Sequence, residues 1–177
     1  MNFLILSEEK HIKIMSFLSL RGSVDWTNES ISLKQSINYD WIISYGYRHI
    51  IHKSIIDASK NKIINLHISY LPYNRGAHPN YWSFKDKTPK GVTIHFIDYG
   101  IDDGPILIQK KCHFTKLDTL KTSYIKLKNE IEELFYDNFD KIIENKIIAK
   151  PQIGKGTINF KKNLPKQINW NINVNDI

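Results

Sequence analysis

Short apolar runs recur along this chain, and their spacing limits what it can fold into. Phe3-Leu4-Ile5-Leu6, Tyr39-Asp40-Trp41-Ile42-Ile43-Ser44, Ile63-Ile64-Asn65-Leu66-His67-Ile68 and Val92-Thr93-Ile94-His95-Phe96-Ile97 each have the length and make-up of a buried strand. Pro105 to Lys111 reads as a further strand. Residues 8–20 have helical spacing, with Ser7 as cap and Ile14, Phe17 and Leu18 on one face beside Met15. Residues 50–60 suit a short helix, whereas Arg21 to Asn38 is polar and fits neither pattern. Leu117, Leu120, Tyr124, Leu127, Ile131, Leu134 and Asn138 recur at steps of three and four. That spacing predicts one long amphipathic helix, to about Glu144, covering a face of the sheet. Strands alternating with helices predict an α/β layer fold with a mainly parallel sheet and flanking helices. Residues 1–150 are expected to form a single domain, with the Lys- and Asn-rich segment 151–177 as an irregular tail packed on it.

Composition narrows the class. At 177 residues the chain has room for one real core, and 41% hydrophobic residues argue against disorder. A net charge of +7 favours anionic partners without choosing among nucleic acid, acidic lipid and phosphorylated metabolites. The single cysteine, Cys112, excludes an internal disulfide and a zinc site built on several thiolates, and reads as a small buried hydrophobe. The apolar start, Phe3 to Leu6, is too short for a signal peptide or a membrane span, so a cytoplasmic setting is expected.

Two stretches carry candidate chemistry. Side chains alternate along a strand, so Asn65 and His67 face one way while Ile64, Leu66 and Ile68 face the other. Burying either polar group without a partner is unfavourable, so they either tie a neighbouring loop down or belong to a site. Asp98-Tyr99-Gly100-Ile101-Asp102-Asp103-Gly104 gathers three carboxylates in a loop whose glycines permit a tight bend. That loop reads as a solvated turn, a magnesium site or part of a catalytic set. No second acidic cluster of this density lies nearby in the sequence, so no metal site is assigned. In α/β folds ligands gather outside the carboxyl ends of strands, where both stretches are expected to lie.

Taken together, Asn65-Leu66-His67-Ile68-Ser69-Tyr70-Leu71-Pro72, Asn74-Arg75-Gly76-Ala77, Gly91 to Asp98 and Gly100-Ile101-Asp102-Asp103-Gly104 resemble the catalytic domain of the folate-dependent formyltransferases. Tyr70-Leu71-Pro72-Tyr73-Asn74-Arg75-Gly76 followed by Pro79-Asn80-Tyr81-Trp82-Ser83 brings the resemblance closest to sugar N-formyltransferases acting on nucleotide-linked amino sugars. It covers roughly residues 39–136. It implies a Rossmann-like, formyltransferase-like fold and 10-formyltetrahydrofolate as the donor. The family's catalytic set falls on Asn65, His67 and Asp102. Its folate-binding segment falls on Tyr45, Gly46, Tyr47, Arg48, His49 and Ile50, together with Asp98, Tyr99, Gly100, Ile101 and Asp103. Substrate contacts are expected from Asn74, Arg75, Tyr81, Trp82 and His95. Trp82 also reads as core, Arg75 as a surface charge and His95 as a satisfied core histidine.

The residues suit the chemistry. An amine attacks the formyl carbon, Asn65 and a protonated His67 donate hydrogen bonds to the oxyanion, and Asp102 favours the charged imidazole or takes the amine's proton through a water. Only 64 residues precede Asn65, so the amino-terminal half is expected to be shortened relative to larger family members; with no further domain expected after the long helix, a small substrate is favoured over a tRNA. Three other readings stand beside this one: a purine-pathway type of formyltransferase, an RNA-binding domain supported by the charge and nine tyrosines, and a folate binder without turnover. The expected partner is a small molecule rather than nucleic acid or membrane, and the long apolar helix is compatible with a homodimer.

Overall fold

In the computed structural model, which describes residues 1–177, the chain runs β1 (Asn2–Leu6), α1 (Ile12–Ser19), β2 (Ser23–Thr27), α2 (Leu33–Ser36), β3 (Trp41–Ser44), α3 (Lys53–Ser59) and β4 (Ile63–His67). It continues through β5 (Arg75–Gly76), α4 (Pro79–Lys85), β6 (Gly91–Phe96), β7 (Ile106–Lys111), α5 (Leu120–Ile143) and β8 (Ile158–Asn159). Six strands form one sheet in the order β2-β1-β3-β4-β6-β7. The first four run parallel, whereas β6 is antiparallel to β4 and β7 to β6. This is the expected α/β architecture with a mostly parallel sheet.

Parallel strands covered on both faces read as unbroken apolar runs, and β1 and β3 do. On one face Phe3, Ile5, Ile43, Ile64, Leu66 and Ile94 meet Ile14 and Leu18 of α1 and Leu127, Ile131, Phe135 and Phe139 of α5. On the other, Leu4, Leu6, Ile42 and Ile63 pack with Ile31 and with Ile55 of α3. β2 lies at the sheet edge with no fully buried residue, so its Ser-Val-Asp-Trp-Thr sequence carries no apolar run to announce it.

Three expectations change. Ser7 does not cap α1, which begins at Ile12. The Ser7 hydroxyl instead accepts from Trp26 Nε1 (2.9 Å) and donates to the Glu9 carbonyl (2.8 Å). Leu117 lies outside α5 and is 89% exposed. Thr119 caps that helix through a capping box with Thr122, and the buried stripe runs Leu120, Leu127, Ile131, Phe135, Phe139, Ile142. A stripe with a 3.6-residue period turns onto the two phenylalanines, so Tyr124 and Asn138 fall to its sides. The segment after α5 also contains regular structure. Lys150 pairs with Ile106, and β8 runs parallel to β5.

Candidate active site

Alternation along β4 sends Ile64 and Leu66 into the α5 side of the core and leaves Ile63, Asn65 and His67 on the opposite face. Across the antiparallel pair, Asn65 sits beside His95 and His67 beside Thr93. Four polar side chains therefore form one block on an otherwise apolar sheet. Phe96 sits beside Ile64, at the amino end of β4, so the Asp98–Gly104 loop does not leave the sheet at the edge where His67 lies. This corrects the expectation that both stretches meet at the carboxyl ends of parallel strands. The loop instead doubles back. Ile97 N–H bonds the Ile63 carbonyl (2.9 Å), the Tyr99 phenol donates to Asp57 of α3, and Asp102 ends over the polar block.

The geometry at Asp102 is close. Its Oδ1 accepts from Asn65 Nδ2 (3.0 Å) and lies 3.6 Å from His95 Nε2. Its Oδ2 accepts from the Gly76 backbone N–H (2.8 Å) and lies 3.6 Å from His67 Nδ1. Carbonyl oxygens only accept, which fixes both rings. His67 Nε2 carries the proton given to the Asn74 carbonyl (3.2 Å), and its Nδ1 faces the carboxylate. His95 Nδ1 carries the proton given to the Phe96 carbonyl (2.8 Å), so Nε2 of its neutral ring accepts from Asn65 Nδ2 (3.2 Å). Both protons of the Asn65 amide are thereby engaged.

Electrostatics separates the two ionisable partners. Burial opposes ionisation of Asp102 but is outweighed by His67, His95 and the Gly76 N–H, so the carboxylate titrates well below its usual range. For His67, loss of hydration outweighs the raising effect of Asp102, and its pKa lies below the ordinary 6.5. A resting imidazolium is therefore not what this site holds at neutral pH. Asp102 does favour the charged imidazole, as expected, but burial outweighs it, so the protonated His67 expected as an oxyanion donor is not the resting form.

The remaining site candidates divide by exposure. Ser44 pairs with Asn65, so the loop from Tyr45 to Ile50 starts beside the polar block. The Tyr45 side chain points away into the α1–α5 core and hydrogen-bonds Glu132, so only its backbone remains near the site. No backbone N–H from Gly46 to Ile51, or from Gly100 to Gly104, donates within the protein. Asp98, Tyr99 and Asp103 line the same doubled-back loop, where the Asp98 carboxylate accepts the Tyr99 N–H and Ile101 is exposed. Asn74 is 0% and His95 1% exposed, with their polar groups bonded inside the protein, and Tyr81 belongs to the core beside α5. All three are closed off from solvent in this structure. Arg75 and Trp82 are half-buried, and Arg75 Nε and Trp82 Nε1 are donors without a protein partner.

Several site residues escaped the sequence reading. Thr93 Oγ1 donates to the Ser69 carbonyl (2.6 Å) and accepts the Leu71 N–H (3.2 Å), shaping the chain after β4. The alternation Gly91, Thr93, His95 could have marked it as a neighbour of His95 on one face. Gln152 and Thr157 come from the tail and had no local signal. A cavity of about 260 Å³ lined by Ser36, Tyr39, Asp40, Ser59 and Lys62 lies at the amino ends of β3 and β4, away from the polar block.

Comparison with known proteins fits this arrangement. A family profile described as formyl transferase matches residues 5–138. The crystal structure of the formyltransferase PseJ from Anoxybacillus kamchatkensis, in complex with UDP-4,6-dideoxy-4-formamido-L-AltNAc and tetrahydrofolate, superposes with a TM-score of 0.91. It is 40% identical, over 98% of this chain and 96% of that one. Methionyl-tRNA formyltransferase of Thermodesulfovibrio yellowstonii is 38% identical over 141 residues, 77% of this chain and 45% of that protein. dTDP-4-amino-4,6-dideoxyglucose formyltransferase of Mycobacterium tuberculosis is 34% identical over 124 residues, 70% and 52% respectively. The chain thus spans about half the length of the curated relatives it matches. With the sheet order, the polar block and the doubled-back carboxylate loop on one side and these matches on the other, the chain belongs to the formyl transferase family.

Proposed function

We propose that this protein is an N-formyltransferase that moves a formyl group from 10-formyltetrahydrofolate to the amine of a nucleotide-linked amino sugar. The observation that carries this reading is the convergence of Asn65, His67 and Asp102 beside loops whose backbone N–H groups are free. It is supported by 40% identity over nearly the whole length to a relative with a UDP-linked formamido sugar and tetrahydrofolate bound. The edge of a pterin carries donors and acceptors in alternation, and the unpaired backbone N–H groups of residues 46–51 and 100–104, with the carbonyls of 46–51, offer the complementary set.

In this mechanism the amine attacks the formyl carbon, the carbonyl oxygen takes the negative charge, and the bond from that carbon to the folate nitrogen then breaks. Asn65 gives up its 3.2 Å bond to neutral His95 and turns that proton to the oxyanion. It keeps the 3.0 Å bond to the charged Asp102, which is the stronger of the two. Neutral His67 takes the proton lost by the amine, and the imidazolium so formed is stabilised by the carboxylate 3.6 Å away. Asp102 itself titrates too low to be a useful base. The proton then leaves on the folate nitrogen, which closes the balance without a covalent enzyme intermediate.

The anionic part of the substrate has a cationic place to go. Burial first, then the charges of Lys161 and Arg48, holds the His78 pKa below its ordinary value, so the positive charge felt there comes from Lys161 and Arg48. Those two cations suit the diphosphate of a nucleotide, and the unpartnered Nε of Arg75 offers a further donor. No helix is long and apolar enough to cross a membrane. A cytoplasmic setting and assembly as a homodimer belong to this reading, and light scattering tests the latter. The deciding experiment is incubation with 10-formyltetrahydrofolate and a panel of nucleotide-linked amino sugars. Gain of one formyl group by a sugar with matching release of tetrahydrofolate is expected. Release of tetrahydrofolate with none of the sugars would end the proposal.

A further inference from the structure

The tail after α5 lies outside residues 5–138, where the family profile matches, yet it reaches the polar block. Lys150 and Ile106 exchange two backbone hydrogen bonds of 2.7 and 2.8 Å. Two residues on, Gln152 Nε2 donates to the carbonyl oxygens of both Asp102 (2.8 Å) and Gly104 (3.0 Å). An amide NH₂ has two protons, and each finds one carbonyl. Gln152 Oε1 is buried without a partner, so the side chain is oriented by its donors alone.

Those two carbonyls flank the bend that aims the carboxylate. Asp102 holds a φ of +48°, a left-handed backbone that an L residue keeps only where its surroundings fix it. The bend has no slack, because a Cβ on Gly104 would stand 1.9 Å from the Phe96 carbonyl oxygen. Further along, Thr157 Oγ1 accepts the Asn74 N–H (2.7 Å), and Arg75 N–H bonds the Thr157 carbonyl (2.9 Å). The tail thus also steadies Asn74, whose carbonyl holds His67.

We infer that Gln152 is a positioning residue for formyl transfer: its amide fixes the Asp102 loop so that the carboxylate stands over Asn65 and His67. This rests on the formyl-transfer reading above, and its test is built to separate the two. Gln152→Ala and Gln152→Glu are compared with wild type, with Ile153→Ala as a control in the same tail, where Ile153 is exposed. Glutamate keeps the size of the side chain but brings acceptors to two carbonyls. Both Gln152 variants are expected to lose about 10- to 100-fold in kcat, the cost of a small misplacement of a reacting group, with KM for the acceptor little changed. Ile153→Ala keeps wild-type turnover. Substrate-free NMR titration of the His67 ring supplies a second readout. In Gln152→Ala, which adds no charge, it moves to lower pH, because the Asp102 charge that raises it is no longer held in place. Turnover by Gln152→Glu within about twofold of wild type, where a misplacement predicts far more, or a His67 titration that does not move, overturns the inference. If wild type transfers no formyl group, the functional reading falls, and the titration still decides the role of Gln152.

Discussion

β4 and β6 have two faces, built from alternate residues of the same strands, and the faces obey different rules. Towards α5, Ile64, Leu66, Val92 and Ile94 meet a wall of phenylalanines that includes Phe135 and Phe139. Their contacts are non-directional, and any apolar group of similar volume would serve. Towards the doubled-back loop, Asn65, His67, Thr93 and His95 have fixed partners at stated atoms. One unpaired group there costs more than one missing contact on the other side. The apolar face therefore holds the sheet in place, and the polar face spends that rigidity on aiming three side chains.

The sharpest way to test this division is to damage each face separately. Phe135→Ala should destabilise the fold by about 3–5 kcal/mol, as large-to-small changes in a closed core do. Turnover per folded molecule should stay near wild type. Urea unfolding with an active-site count checks both halves. Asn65→Ala should do the reverse, losing about 10²–10³ in kcat, as removal of one oxyanion donor does, with little change in the unfolding midpoint. If Phe135→Ala lost turnover as steeply as Asn65→Ala at equal folded fraction, the two faces would not be separable.

How much of this was readable in advance follows the same line. β1, β3 and the α5 stripe show themselves locally, because apolar periodicity is a property of neighbouring residues. Asn65, His67 and Asp102 were singled out by polarity in an apolar run and by motif resemblance, and the structure brings them together. Their arrangement was not legible. The antiparallel turn of β6 decides where Asp102 approaches from, and that depends on pairing between distant strands. The charge state of His67 is not legible either, because the sequence shows the partner carboxylate but not the depth of burial. Asn74, Tyr81 and His95 looked like ligands because polar and aromatic residues near a motif resemble a binding surface. Their burial becomes visible only in the fold. Gln152 lies in a tail with no periodicity, and its role exists only through long-range contacts.

A smaller effect comes from pH. The folded His67 titrates below its ordinary 6.5, so between the two values the unfolded chain binds more protons than the native one. Stability should therefore fall as pH drops below about 6.5, a loss tied to this ring. Asp102, also held low when folded, adds a further loss below its usual 3.8. Chemical denaturation at several pH values should show the first loss in wild type and a flatter curve between pH 5 and 7 in His67→Asn. The acid limb of kcat/KM in wild type should lie below 6.5, and in Asp102→Asn it should move lower still, since the charge that raises the ring's pKa is gone. A limb above 6.5 would return the mechanism to a resting imidazolium.

The smallest effect is expected where a polar contact borders the apolar face. Arg21 Nε and Nη2 reach the two oxygens of Asp140 at 2.7 and 2.8 Å, joining the end of α1 to α5. The geometry is as good as any at the polar block, yet the Asp140 side chain is 58% exposed, so water replaces the guanidinium at little cost. Asp140→Asn should cost less than about 1 kcal/mol, and the difference should shrink further in high salt. Arg21→Ala should cost more than Asp140→Asn, because the guanidinium also lies over the Phe17 ring, 4.0 Å from its centre, and that packing is lost with it. Denaturant midpoints at low and high salt separate the two terms. A salt-insensitive loss of several kcal/mol on Asp140→Asn would mean that burial is not what makes the Asp102 contacts different in kind.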